Sequence, residues 1–128
     1  MKFARIIFGI AAVYGLIVLV PLYFALGSIG RKAPPAVTHP EFYYGFVGVA
    51  VLWQFIFILI ALSPARYRPL MPIAVLEKFV YTVPVVLLYL RNQAALNILL
   101  PSLPDPAFGV LFLTAYLVSR KHAYSGDV

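Results

Sequence analysis

The chain has 128 residues, 63% of them hydrophobic and 11% charged, with a mean hydropathy of +0.96. Soluble domains carry about 25% charged residues, so this composition excludes disorder and argues against a soluble fold. Ten Lys and Arg against four Asp and Glu leave +6, and there is no cysteine, which excludes disulfides, thiolate nucleophiles and Cys-ligated metals.

A bilayer core about 30 Å thick needs roughly 20 apolar residues as a helix. The first such run covers about residues 3–26, with Lys2 and Arg5 at its start. Ala25-Leu26-Gly27 resembles a signal-peptidase site, but the length of the run and the three apolar segments after it favour an uncleaved span. Gly9, Ala12 and Gly15 recur at intervals of three and predict close helix contact, within the chain or between two copies. Pro21 predicts a kink. Residues 27–41 form a first external loop, in which Pro34, Pro35 and Pro40 favour an extended path. His39-Pro40-Glu41-Phe42-Tyr43-Tyr44 then reads as an interfacial aromatic belt.

The second span, 42–62, holds Gln54 as its strongly polar residue, with Gly45 and Gly48 as contact positions. Trp53 beside Gln54 falls below mid-membrane, where packing or a ligand face suits it better than anchoring. A tight turn follows, so spans two and three form a hairpin. Arg66 and Arg68 in that turn satisfy the positive-inside rule and are candidates for contact with anionic lipid headgroups. The third span, 70–90, contains Glu77 and Lys78, and its Pro84 frees the carbonyl of Val80. Residues 91–104 are read as a second external loop, because Pro101, Pro104 and Pro106 interrupt the apolar stretch from Ala94 to Leu100. The fourth span, 105–121, has a short apolar core.

Lys2, Arg5, Arg66, Arg68, Arg120 and Lys121 gather on one side, and Arg31, Lys32 and Arg91 on the other. Six against three places both termini in the cytoplasm. The expected fold is all-α: a single membrane domain, a membrane-spanning antiparallel four-helix bundle, whose backbones satisfy their own hydrogen bonds.

An ionisable residue inside a span costs roughly 2.5–3.5 kcal/mol at the centre on insertion scales, so Glu77 and Lys78 need an account. At about 1.5 Å per residue, Glu77, Gln54, Tyr14 and Thr114 all lie about 9–13 Å from the cytoplasmic end. Tyr81, one turn beyond Glu77, extends this layer. One reading is a structural polar layer, in which Glu77 accepts hydrogen bonds from Tyr14, Gln54 or Tyr81 while Lys78 snorkels to the headgroups. Neighbouring residues on a helix diverge by 100°, which argues against a Glu77–Lys78 bridge. The other reading is a proton-linked or ligand-binding carboxylate in an aromatic-lined cavity. His39 and His122 fall on opposite sides, which argues against a shared metal site. No phosphate loop, nucleophile triad or metal-ligand spacing occurs, and no cofactor is indicated. The basic residues sit at span ends, so nucleic-acid binding is unsupported.

The runs His39-Pro-Glu-Phe-Tyr-Tyr-Gly-Phe-Val-Gly-Val, Trp53-Gln54, Arg66-Tyr-Arg-Pro, Ala74-Val-Leu-Glu-Lys-Phe and Gly109-Val-Leu-Phe-Leu-Thr-Ala-Tyr-Leu resemble small bacterial four-helix membrane proteins, broadly the DoxX-like families. That resemblance implies a bacterial inner membrane protein, and some of those families are linked to redox or quinone-associated complexes. The small multidrug resistance transporters are similar in length and span number, but their membrane glutamate lies in the first helix, where this chain has none. Three functions follow as expectations. The first is a non-enzymatic accessory subunit of a larger membrane complex, or a protein binding a hydrophobic small molecule among membrane lipids. The second is a homo-oligomeric proton-coupled transporter using Glu77. The third is a membrane enzyme acting on lipid or quinone.

Overall fold

The computed structural model describes residues 1–120, and all regular structure among them is helical. The segments are α1 (Lys2–Leu19), α2 (Leu26–Lys32), α3 (Pro40–Leu62), α4 (Met71–Glu77), α5 (Thr82–Leu90), α6 (Leu96–Ser102) and α7 (Pro104–Val118). They build four stretches long and apolar enough to cross a bilayer: Lys2–Phe24, Pro40–Leu62, Arg68–Leu90 and Leu96–Val118. Lys121 and His122 lie outside the described residues.

Proline sets most of the helix breaks. At Pro21 the missing N–H leaves the Ile17 carbonyl without its donor, and the expected kink takes the form of a 3₁₀ turn over Val20–Phe24. In the third stretch, Pro84 likewise frees the Val80 carbonyl, and regular α-helix stops between Glu77 and Thr82. There the Phe79 amide bonds Leu76 O, three residues back. α5 closes at Asn92, whose φ of 58° is left-handed, a conformation that asparagine tolerates better than most residues. The Gln93 amide then caps Leu88 O at 2.8 Å.

Two expected loops contain helix. Residues 27–41 carry most of α2. Residues 91–104, read as an external loop, are helical from Leu96 onward, so the fourth stretch begins at Leu96 rather than at residue 105. The three prolines bend this stretch without ending it. Pro104 and Pro106 fall in the first turn of α7, where amides have no helical acceptor in any case, and Leu103 between the helices keeps helical torsions (φ −69°, ψ −30°). Pro106 leaves the Ser102 carbonyl without a donor, and the Thr82 hydroxyl from α5 donates to it at 2.8 Å. This answers the requirement that freed backbone groups inside a bilayer find a new partner.

The core lies toward the end of the molecule that holds the 63–67 turn. Phe8, Phe57, Ile60, Met71, Ala74 and Phe112 are fully buried there. Phe8 stacks on Phe112 at 4.0 Å between centroids, and Phe57 meets Phe112 edge-on at 5.0 Å. The small residues of α1 serve contact within the chain: Ala4, Ala11, Ala12 and Gly15 are buried, and Gly9 faces Ala61 of α3. The Arg5 guanidinium donates to Leu62 O at 2.9 Å and ties the start of α1 to the end of α3. At the other end of the molecule the helices part, and a cavity opens between them.

Candidate ligand site

The cavity has a volume of about 600 Å³ and reaches from the middle of the helices to the α2 end. Its walls are mostly apolar, with Val18, Leu19, Leu22, Val80 and Ile98 among them, and Phe46 and Tyr81 add aromatic surface. Tyr14, Gln54, Glu77, Lys78 and Asp105 also line it. Pockets of about 300–1,000 Å³ with apolar walls and a few convergent polar groups are typical of small-molecule sites.

Glu77 is nine residues beyond Arg68 and Asp105 thirteen before Val118, so both carboxylates lie about 14–20 Å in from the same end, near mid-depth. Lys78 Nζ stands between them, 3.6 Å from Glu77 Oε2 and 3.6 Å from Asp105 Oδ1. Its side chain is 5% exposed. The expectation that Lys78 snorkels to the headgroups, diverging from Glu77, is therefore corrected. A 100° divergence holds in regular α-helix, but the helix leaves that geometry at Lys78 (ψ −15°). The helices also come close at Gly109, where a Cβ would lie 2.6 Å from Phe79 Cε2 and 3.2 Å from Lys78 Cβ, so the glycine admits the Phe79 ring and the base of the Lys78 side chain against α7. Asp105 is four residues earlier on the same face of α7 and receives the ammonium. The ammonium also lies 4.9, 5.9 and 6.0 Å from the ring centres of Phe57, Phe108 and Phe112, within range of attraction to their π-faces.

Gln54 is 1% exposed. Its amide Nε2 donates to Ala50 O at 2.9 Å, so it does not reach Glu77. A Cβ on Gly15 would overlap its carboxamide, so this glycine makes the room that lets a glutamine lie in the helix contact. Gln54 Oε1 and Glu77 Oε2 are buried oxygens with no hydrogen-bond donor among the described residues. A buried acceptor without a donor costs about 1–3 kcal/mol. Native structures have few of them, and each calls for an explanation.

Of the residues singled out in the sequence, Tyr14, Gln54, Glu77, Lys78 and Tyr81 converge on the cavity, and Tyr14 packs on Phe108 at 5.4 Å. Thr114 does not join them: it is exposed on α7 and donates to Val110 O in its own helix. Trp53 packs against Phe57 at 6.2 Å, away from the cavity lining. Arg66 is exposed, whereas Arg68 turns onto α7, donating to Ser119 Oγ at 3.0 Å and Tyr116 O at 2.9 Å. Asp105 is a functional candidate not singled out in the sequence, where it falls at the outer end of the fourth span, 105–121. The usable signal was its place nine residues into an otherwise apolar run from Leu96 to Val118, a run that the prolines disguised. Comparison of the chain with protein-family models, with curated proteins and with solved structures finds no match.

Proposed function

We propose that the chain is a bacterial inner membrane protein, an antiparallel four-helix bundle with both termini cytoplasmic, that binds a hydrophobic small molecule in the cavity floored by Glu77, Lys78, Asp105 and Gln54. Its role is accessory and non-enzymatic, within a larger membrane complex. The pairing of Arg5 with Leu62, Gly9 with Ala61 and Gly15 with Gln54 supports the opposed direction of the first two spans. The observation that carries the ligand reading is an apolar-walled cavity of about 600 Å³ whose polar lining includes two buried oxygens without donors. A structural polar layer accounts for Lys78, which is ion-paired and ring-packed. It does not account for Gln54 Oε1, which has no donor, and it leaves Glu77 Oε2 with an ammonium at 3.6 Å but no hydrogen bond; a ligand supplies both donors.

Native mass spectrometry after extraction into native nanodiscs tests this reading. A low-molecular-weight amphiphile at one per chain, lost when Val18→Trp fills the cavity, is the expected result. Recovery of the chain without any such molecule, equally in the parent and the Val18→Trp variant, contradicts it. A second reading, proton-coupled transport, is favoured by the mid-depth carboxylate of Glu77 on a cavity wall. Proton-dependent uptake by reconstituted protein, abolished by Glu77→Gln, supports that reading over the accessory one.

A further inference from the structure

The polar floor of the cavity specifies more than a hydrophobic guest. Two carboxylates, Glu77 and Asp105, face a single ammonium, that of Lys78. Lys32, the other cation on the cavity wall, belongs to the opposite end. Its carbonyl accepts a hydrogen bond from Asn97, which is eight residues before Asp105 and so about 12 Å along the helix. Among the described residues, and with both carboxylates ionised, the floor therefore has one negative charge more than its own cation offsets, in a region where unpaired charge is costly. The two oxygens without donors, Gln54 Oε1 and Glu77 Oε2, are both acceptors. Gln54 is 1% exposed and its carboxamide is fixed against Gly15, so it cannot relieve this by turning to solvent. Aromatic side chains also line the cavity: Phe46 and Tyr81, 5.4 Å apart, and Tyr14.

We propose that the ligand of this cavity is a lipophilic primary ammonium, its charge facing Glu77, its N–H groups donating to Glu77 Oε2 and Gln54 Oε1, and its apolar tail lying along Val18, Leu22 and Ile98. This rests on the ligand-binding reading above and narrows it to one chemical class. A carboxylate-headed amphiphile adds a third negative charge to the floor. A neutral alcohol can offer only one donor and leaves the excess charge in place. A quaternary ammonium carries the charge but has no N–H for the two acceptors. Aromatic walls favour a cation over a neutral guest of the same shape.

The test is equilibrium dialysis of radiolabelled octylammonium against nanodiscs containing the full chain, with partition into empty nanodiscs subtracted. Octanol, octanoate and octyltrimethylammonium serve as matched probes. Octylammonium is expected to saturate at one per chain and to bind at least about tenfold more tightly than the other three, as expected for hydrogen bonds to a charged group. Glu77→Gln and Gln54→Met should each weaken it, the first by about ten- to hundred-fold. Retention time and melting temperature of each variant establish folding, and Gln54→Met carries the test if Glu77→Gln does not fold. Octanol binding as tightly as octylammonium, with both lost in Val18→Trp, overturns the ammonium assignment and leaves the hydrophobic-ligand reading standing. Absence of saturable binding by all four probes overturns both. Unchanged octylammonium affinity in a folded Glu77→Gln variant overturns the assignment directly.

Discussion

Gly15 and Gly45 are both helical glycines, yet they should respond oppositely to alanine. A Cβ on Gly15 overlaps Gln54, whereas one on Gly45 meets nothing within 4 Å. Gly15→Ala is expected to cost about 1–3 kcal/mol through overpacking. Gly45→Ala should be neutral or stabilise by up to about 1 kcal/mol, since glycine is the less favourable residue in a helix. Denaturant-induced unfolding in micelles checks both, and a similar response at the two sites contradicts the packing described. Lys78 is the other decisive residue. Lys78→Met leaves two carboxylates facing each other near mid-depth, so it should destabilise by about 3–5 kcal/mol. Asp105→Asn in the same chain should restore part of that loss. A double-mutant cycle measures the coupling, and strictly additive effects contradict the shared ion pair. Gln54, Glu77 and Tyr14 were legible in sequence because helix rise alone sets their depth. The inward turn of Lys78 was not, since it depends on a break in its own helix and on the close approach of α7 at Gly109, where Phe79 and Lys78 both pack.

Helices in this molecule end or bend where proline removes a donor, and their stability rests on where the freed carbonyl finds a new partner. Thr82 is the clearest case, because its hydroxyl serves the Ser102 carbonyl that Pro106 leaves open. Thr82→Val should cost about 1–3 kcal/mol, the penalty for a buried acceptor without a donor. It should also speed amide exchange across α5 and α6 while leaving α1 and α3 unchanged; a uniform rise over all helices contradicts a local role. The apolar runs of the first three spans were readable directly, within a few residues. The fourth was not, because Pro101, Pro104 and Pro106 break a helix by default; Pro104 and Pro106 are accommodated through first-turn placement and a hydroxyl from α5, while Pro101 lies near the end of the short α6. A fourth span that starts at residue 105 sets Asp105 at the membrane boundary, whereas the helix from Leu96 carries it nine residues inward.

The whole molecule divides into a tightly packed half around Phe8, Phe57 and Phe112 and a parted half around the cavity, with the Glu77–Lys78–Asp105 cluster between them. Because the chain has no cysteine, single introduced thiols report its orientation without background. With the proposed topology, an Ala36→Cys variant reacts with a membrane-impermeant maleimide in intact cells. An Ala65→Cys variant reacts only after permeabilisation, and the reverse pattern inverts the bundle. The central claim is that the parted half holds a ligand whose tail lies along the inner wall. Photolabelling with a diazirine-bearing alkylammonium in nanodiscs tests it most directly. The account predicts labelling at about one per chain, concentrated at Val18, Leu22 and Ile98 and suppressed by excess unlabelled octylammonium. Labelling spread over the outward-facing Ile17, Leu52 and Val83, and insensitive to competitor, would contradict it.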